Sequence, residues 1–241
     1  MSREGAYQFE RSDLETILFA DNAIVRSRFQ EGFADLIQQF LDESDRVCAQ
    51  LRSFGSVLTA DLRAAWVEKF VFSAFNSCFA SCNLFISGFA VPAGNLMRHY
   101  AEASAMALLC SHHAIDVLRR FDQDPGKFPV HDAVQIVWNR RNAELLKINA
   151  QGWASFEAIS KWYDQYSHAS VLSLATQTML ITPGSIILGG EFDDGKREAY
   201  RKELGLRVSA MARLCELVLA VRENVRAAQA KGLIGCTTSA S

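Results

Sequence analysis

Proline and glycine are scarce in this chain, with 4 prolines and 14 glycines among 241 residues, about 7% against a usual combined share of roughly 12%. That shortage argues against sandwiches, barrels and propellers, whose short strands need many tight turns. Charge of either sign is also lacking in excess, since 25 Lys and Arg face 27 Asp and Glu for a net charge of −2. With no surplus of cations to neutralise phosphates, a dedicated nucleic-acid binder is disfavoured. The first ten residues contain no apolar leader, which points to a cytoplasmic protein. The familiar spacings of phosphate-cradling glycine loops, of zinc-protease helices, of paired E-x-x-H ligands and of the G-x-S-x-G elbow are absent. No cofactor is implied.

What is present is apolar and helically spaced. Hydrophobic residues make up 49% of the chain, enough at this length for one large core without disulfides or metal. The six cysteines, Cys48, Cys78, Cys82, Cys110, Cys215 and Cys236, sit mostly within apolar helical patterns and read as reduced core thiols. Cys78 and Cys82 share a helix face, but no second pair completes a zinc site. The four tryptophans, Trp66, Trp138, Trp153 and Trp162, read as core bulk.

The expected fold is all-α, a single domain over 1–241 with about six or seven helices, a lead at 1–11 and a frayed tail at 233–241. Ser12 with Glu15 makes a capping box. A helical run reaches Phe54, broken near Asp21 or Asn22, and Gly55 is the stop. A helix capped by Thr59 or Asp61 carries Leu62 to about Ser87, and Gly88 with Pro92, Ala93 and Gly94 forms the turn after it. A third helix begins at an Asn95 cap and runs to about Asp122. Asp124-Pro125-Gly126 marks a loop before a fourth helix over 130–150, and a fifth covers 153–178. A small hairpin or ordered loop is expected near 179–192, around Pro183-Gly184. The last helix opens at Asp193 or Asp194 and closes at Gly232 and Gly235. Residues 70–95 carry no charge. Their length would suit a membrane span, but the interspersed Asn and Ser residues favour a helix buried by its neighbours.

Polar residues that interrupt these patterns are the functional candidates. On an unbroken third helix, Arg98, Glu102, His113, Asp116 and Arg120 fall within about 60° of one another. The small residues Ala101, Ala103, Ser104, Ala105 and Ala107 on that helix allow close helix approach. An Arg–Glu pair enclosed in this way is a ready anion or carboxylate clamp. His112 or His113 could join Asp116 as a two-residue metal half-site, but no third ligand is assignable. On the fifth helix Asp164 and His168 are four apart, so the carboxylate can orient the imidazole. Tyr163, Ser167 and Ser170 lie on another side, which disfavours a local Ser–His couple.

The pattern Gly94-x3-Arg98-x3-Glu102, followed by Tyr163-x3-Ser167-His168-x-Ser170, resembles bacterial helical families allied to the HEPN superfamily over residues 70–174. The resemblance implies a helical bundle, often homodimeric, in a group that contains both ribonucleases and non-catalytic binding modules. The ribonuclease motif of that group, an arginine followed shortly by a histidine, has no counterpart here: Arg119 and Arg120 stand too far before His131, and Arg98 adjoins His99. The expectation is a non-catalytic, homodimeric module that binds a small molecule or protein partner through Arg98, Glu102, His113, Tyr163, Asp164 and His168, without nucleic acid or membrane. The alternative is a HEPN-like, metal-independent ribonuclease.

Overall fold

The computed structural model describes residues 10–54, 62–115, 117–123, 144–146, 150–168, 170–181 and 187–231. It is an all-α bundle: α1 (Arg11–Leu18), α2 (Ala23–Phe54), α3 (Leu62–Ile86), α4 (Ala90–Ser111), α5 (Val117–Gln123), α6 (Ala150–Asp164), α7 (Val171–Thr176) and α8 (Arg197–Ala230). Short 3-10 turns occupy Gln165–Ser167 and Asp194–Lys196. Helix α8 packs along α2 and against α3 and α4, while α4 also packs lengthwise on α3 and on α6. The centre of the bundle is therefore the contact of α3, α4 and α8.

The stripe that drives α8 into this centre alternates steps of four and three: Tyr200, Leu204, Arg207, Met211, Leu214, Val218, Val221 and Val225 are all buried. On α4 every residue from Ala103 to Ser111 is buried, because its small side chains let α3 and α8 close on both sides. Cys78, Cys82, Cys110 and Cys215 are buried free thiols, as a reduced core requires. Burial raises Cys82 to about 11 and Cys110 to about 12, so both stay protonated and unreactive.

The chain break at Asn22 takes a left-handed φ of 55°, and α2 carries a kink at Phe33 (φ −144°, ψ 32°). The cap of α1 lies earlier than the Ser12–Glu15 box: the Asp13 carboxylate accepts from Glu10 N–H (3.0 Å) and Glu15 instead binds Arg11. Helix α4 also starts earlier than its expected Asn95 cap. Gly88, with φ of 88°, reverses the chain directly after α3, and a Cβ there would stand 2.3 Å from the Glu191 backbone nitrogen. Phe89 becomes the N-cap. Pro92 then falls in the first turn, where its missing N–H had no helical acceptor to lose.

Helix α4 ends at Ser111 rather than near Asp122. His112 is extended (φ −95°, ψ 121°), and its Nδ1 and backbone oxygen accept from Ala114 N–H and Ile115 N–H. A histidine that offers its own ring to the following backbone competes with the helix. The fifth expected helix is likewise divided into α6, a 3-10 turn and α7. Ser170 caps α7, accepting from Ser173 N–H (3.1 Å). Beyond α7, Ile187 N–H donates to Gln177 O (2.8 Å), so the expected loop near 179–192 folds back across one hydrogen bond. No strand occurs among the described residues.

Helix α3 is less enclosed than expected. Val67, Val71, Ala74, Cys78, Ser81, Cys82 and Phe85 are buried, but Phe72 is 60% and Phe79 42% exposed. It is the one helix among the described residues long and apolar enough to cross a membrane. The turn signals at Gly55, Thr59, Asp61, Asp124–Gly126, Pro183–Gly184, Gly232 and Gly235, most of the helix expected over 130–150, Asp116, Cys236 and the 233–241 tail lie outside the described residues.

Candidate functional site

Helix α4 brings Arg98 and Glu102 together as an i,i+4 pair (3.2 Å), and α6 adds Asp164 at 3.4 Å from Arg98 Nη1. Arg98 is one-third exposed and Asp164 more than half, so this three-charge cluster ties α4 to α6 near the surface and carries little energy. His113 does not join the strip, because α4 has already ended; its ring stacks on His112 (5.0 Å between centroids). His168 stands exposed on extended backbone (φ −121°, ψ 159°) after the 3-10 turn. The helical spacing that would set it beside Asp164 is lost there.

Tyr163 lies fully buried on another side of α6, in a network that the sequence reading did not find. Its centre is Glu203 on α8. Trp162 Nε1–H (2.7 Å) and Tyr166 O–H (3.0 Å) donate to Glu203 Oε1; Tyr163 O–H (2.9 Å) and Arg207 Nη1–H (2.7 Å) donate to Oε2. All four acceptor positions of the carboxylate are filled. Arg207 is wholly buried; its Nε–H donates to Ser81 Oγ (3.0 Å), which in turn donates to Ala93 O (2.7 Å). The guanidinium carbon lies 4.3 Å from the centroid of the Phe85 ring, a cation–π contact in a dry setting. Arg207 Nη2 is a buried donor with no partner among the described residues.

Burial alone would raise the Glu203 carboxyl, but the guanidinium and the converging donors outweigh it and hold it below the ordinary carboxylate value. Burial likewise opposes the charge on Arg207, and Tyr163 and Glu203 overcome it. Tyr163 and Tyr166 are pushed up, first by burial and then by the adjacent carboxylate. The Glu203–Arg207 pair is thus permanently charged at neutral pH, while the phenols are neutral donors.

The i,i+4 spacing of Glu203 and Arg207 is the commonest surface-pair spacing, which conceals them. The available signal is the alternating four-and-three stripe of α8, in which Arg207 occupies a core position between Leu204 and Met211.

Above this network lies a cleft of about 210 Å³. Phe29, Phe85, Trp162, Tyr166 and Tyr200 wall it with aromatic rings, and Gly88 and Ala90 line it from the α3–α4 turn. Trp162, Tyr166 and Glu203 belong to both cleft and network, so the ion pair fixes the cleft wall. Gly94 serves the same end: a Cβ there would be 2.3 Å from Tyr166 Cγ, so only glycine lets the ring lie against α4. Two lysines complete the lining. Lys202 is exposed, with Nζ 4.1 Å from the Trp162 ring centroid. Lys196 is 92% buried, at 8% exposure, and its Nζ–H groups donate to Ala175 O (3.0 Å) and Thr176 O (3.1 Å) at the end of α7.

No protein-family model, curated protein or solved structure matches the chain. Glu203 has no lone pair free to take a proton from a bound molecule, and its depressed pKa makes it a poor acid. The other close couple, Ser77 Oγ with His99 Nδ1 (2.8 Å), is wired the wrong way for nucleophilic attack: Ser77 O–H donates to Ser73 O (2.7 Å), leaving the imidazole as donor. No three His, Cys, Asp or Glu side chains among the described residues are grouped to hold a metal.

Proposed function

We propose that this protein is a non-enzymatic helical module that holds a small molecule in the aromatic cleft over Glu203. The observation that carries the reading is the cleft wall itself, in which Trp162 and Tyr166 are fixed by a carboxylate with every acceptor position occupied. Such a wall offers preorganised apolar surface around a carboxylate that is already saturated, which suits binding rather than bond breaking. The test is a ligand-observed NMR screen of small ring compounds against the wild-type chain and Ala199→Trp. Ala199 lines the cleft from the exposed side of α8, so the larger ring fills the space without touching the ion pair. Hits on wild type that disappear on a folded Ala199→Trp support the proposal; no hits, or hits indifferent to the filled cleft, overturn it.

The proposal includes a homodimer. Phe72 and Phe79 on α3 and Leu41 on α2 are 60%, 42% and 45% exposed, and Phe79 packs near both Phe75 and Phe40. The same apolar face on a second copy is self-complementary about a two-fold axis. Arg98, Glu102 and Asp164 are in this reading the polar tie that holds α6, and with it the cleft wall, on α4.

A further inference from the structure

Among the charged groups around the cleft one ammonium has no carboxylate of the described residues in contact, and this points to a ligand class. Glu203 is neutralised by Arg207 at 2.7 Å. Glu191 and Lys202 are both exposed lining residues of opposite sign. Lys196 has no carboxylate in contact with it: it is buried, yet among the described residues no carboxylate reaches its Nζ within the 4.0 Å of an ion pair; only two neutral carbonyls do. Buried Asp193, three residues earlier in the chain, acts on this charge from beyond that distance and has its two carboxylate oxygens on Leu180 N–H (2.6 Å) and Gly195 N–H (2.9 Å).

An ammonium has three protons, and two are accounted for. A buried ammonium with no carboxylate in contact is costly, and a carboxylate brought in by a ligand would supply both a charge at contact distance and the third acceptor. The size is also limited. At about 30 Å³ per water molecule, the cleft displaces about seven waters, the space of one ring with a short side chain.

Resting on the proposed binding role of this cleft, we infer that its ligand is a small aromatic carboxylate, with its ring among Phe29, Phe85, Trp162 and Tyr166 and its carboxylate on Lys196. A cation is disfavoured, because Lys202 already occupies a face of Trp162 and Glu203 has no free acceptor.

The test compares phenylacetate, phenylacetamide and phenethylamine, which share a ring and differ in charge, by titration of the full-length chain near neutral pH. The acid is expected to bind at least about tenfold tighter than the amide, the ratio that one charge-assisted hydrogen bond supplies, with the amine weakest. In Lys196→Met, checked for its fold by circular dichroism, acid and amide should come within about twofold of each other. Amide or amine binding as tightly as the acid overturns the inference, as does a folded Lys196→Met that keeps the preference. The wild-type ratio needs no variant, so it decides the matter even if Lys196→Met fails to fold. If none of the three binds while other ring compounds do and Ala199→Trp blocks them, the carboxylate inference falls and the cleft reading stands. If nothing binds, both fall.

Discussion

Removing Glu203 and removing Arg207 should have unequal costs, and the inequality follows from what each leaves behind. In Glu203→Leu the guanidinium remains wholly buried and cannot shed its proton. It keeps Ser81 Oγ, Tyr163 Oη and the backbone oxygen of residue 203, but Trp162 Nε1–H, Tyr163 O–H and Tyr166 O–H all lose their acceptor. Breaking a buried pair costs about 3–5 kcal/mol, and the orphaned donors push this variant to the upper end, about 5 kcal/mol. In Arg207→Leu the carboxylate keeps its three neutral donors and can take up a proton, so the cost is about 3 kcal/mol. Its carboxyl then has a raised folded pKa, so this penalty should shrink as the pH falls. The double variant Glu203→Leu/Arg207→Leu leaves no unpaired charge and should cost about 2–4 kcal/mol, well short of the sum. Urea unfolding followed by circular dichroism measures all three. In melting temperature the Glu203→Leu loss corresponds to about 10–20 °C at this chain size. Single costs that add to within about 0.5 kcal/mol of the double, or a larger loss for Arg207→Leu, would refute the reasoning.

Other predictions rest on separate contacts. Gly94→Ala puts a Cβ 2.3 Å from Tyr166 Cγ and should destabilise by about 1–3 kcal/mol, whereas Gly205→Ala, with nothing within 4 Å, should stabilise by about 0.5–1 kcal/mol; thermal melts of the pair give opposite signs or the packing account is wrong. The buried phenols of Tyr100, Tyr163, Tyr166 and Tyr200 are raised by burial. Their contribution to stability is therefore complete below the unfolded value of about 10 and is lost as pH rises beyond it. The urea midpoint should accordingly hold up to about pH 9 and drop above about pH 10, and an unchanged midpoint contradicts this. Glu203, with its depressed carboxyl, contributes stability above the unfolded value of about 4.3 that is lost as pH falls through its lower folded value. Substituting Phe79→Glu should convert the proposed dimer to monomer in sedimentation with the melting curve of the monomer intact; a wild type already monomeric removes the dimer.

Much of the fold was readable because it depends on local chemistry. Apolar spacing located α3 almost to the residue, and Asn22 broke α1 from α2 where a short polar residue tolerates a left-handed φ. The errors came where a local signal had two uses. Pro92 reads equally as a turn or as the first turn of a helix, and only the reversal at Gly88 decides. His112 carries no obvious stop, yet its ring ends α4 and so removes His113 from the strip with Arg98 and Glu102. Of the candidate site residues, Arg98, Glu102 and Asp164 do meet, and Tyr163 reaches the buried network by facing the other way. Glu203 and Arg207 escaped notice because a charged i,i+4 pair is indistinguishable from a solvated one until Trp162, Tyr163, Tyr166 and Ser81 arrive from two other helices. That convergence is tertiary; within α8 the spacing marks only Arg207, by its core position between Leu204 and Met211.

The Trp162 indole N–H tests the central claim most directly, since it both lines the cleft and donates to Glu203 at 2.7 Å. Its cross-peak in a ¹H–¹⁵N spectrum is assignable by its absence in Trp162→Phe. On titration with a ring compound that binds the chain, the account predicts a saturable shift of this peak while that of Trp66 stays in place. Saturable binding that leaves the Trp162 peak unmoved would contradict the account.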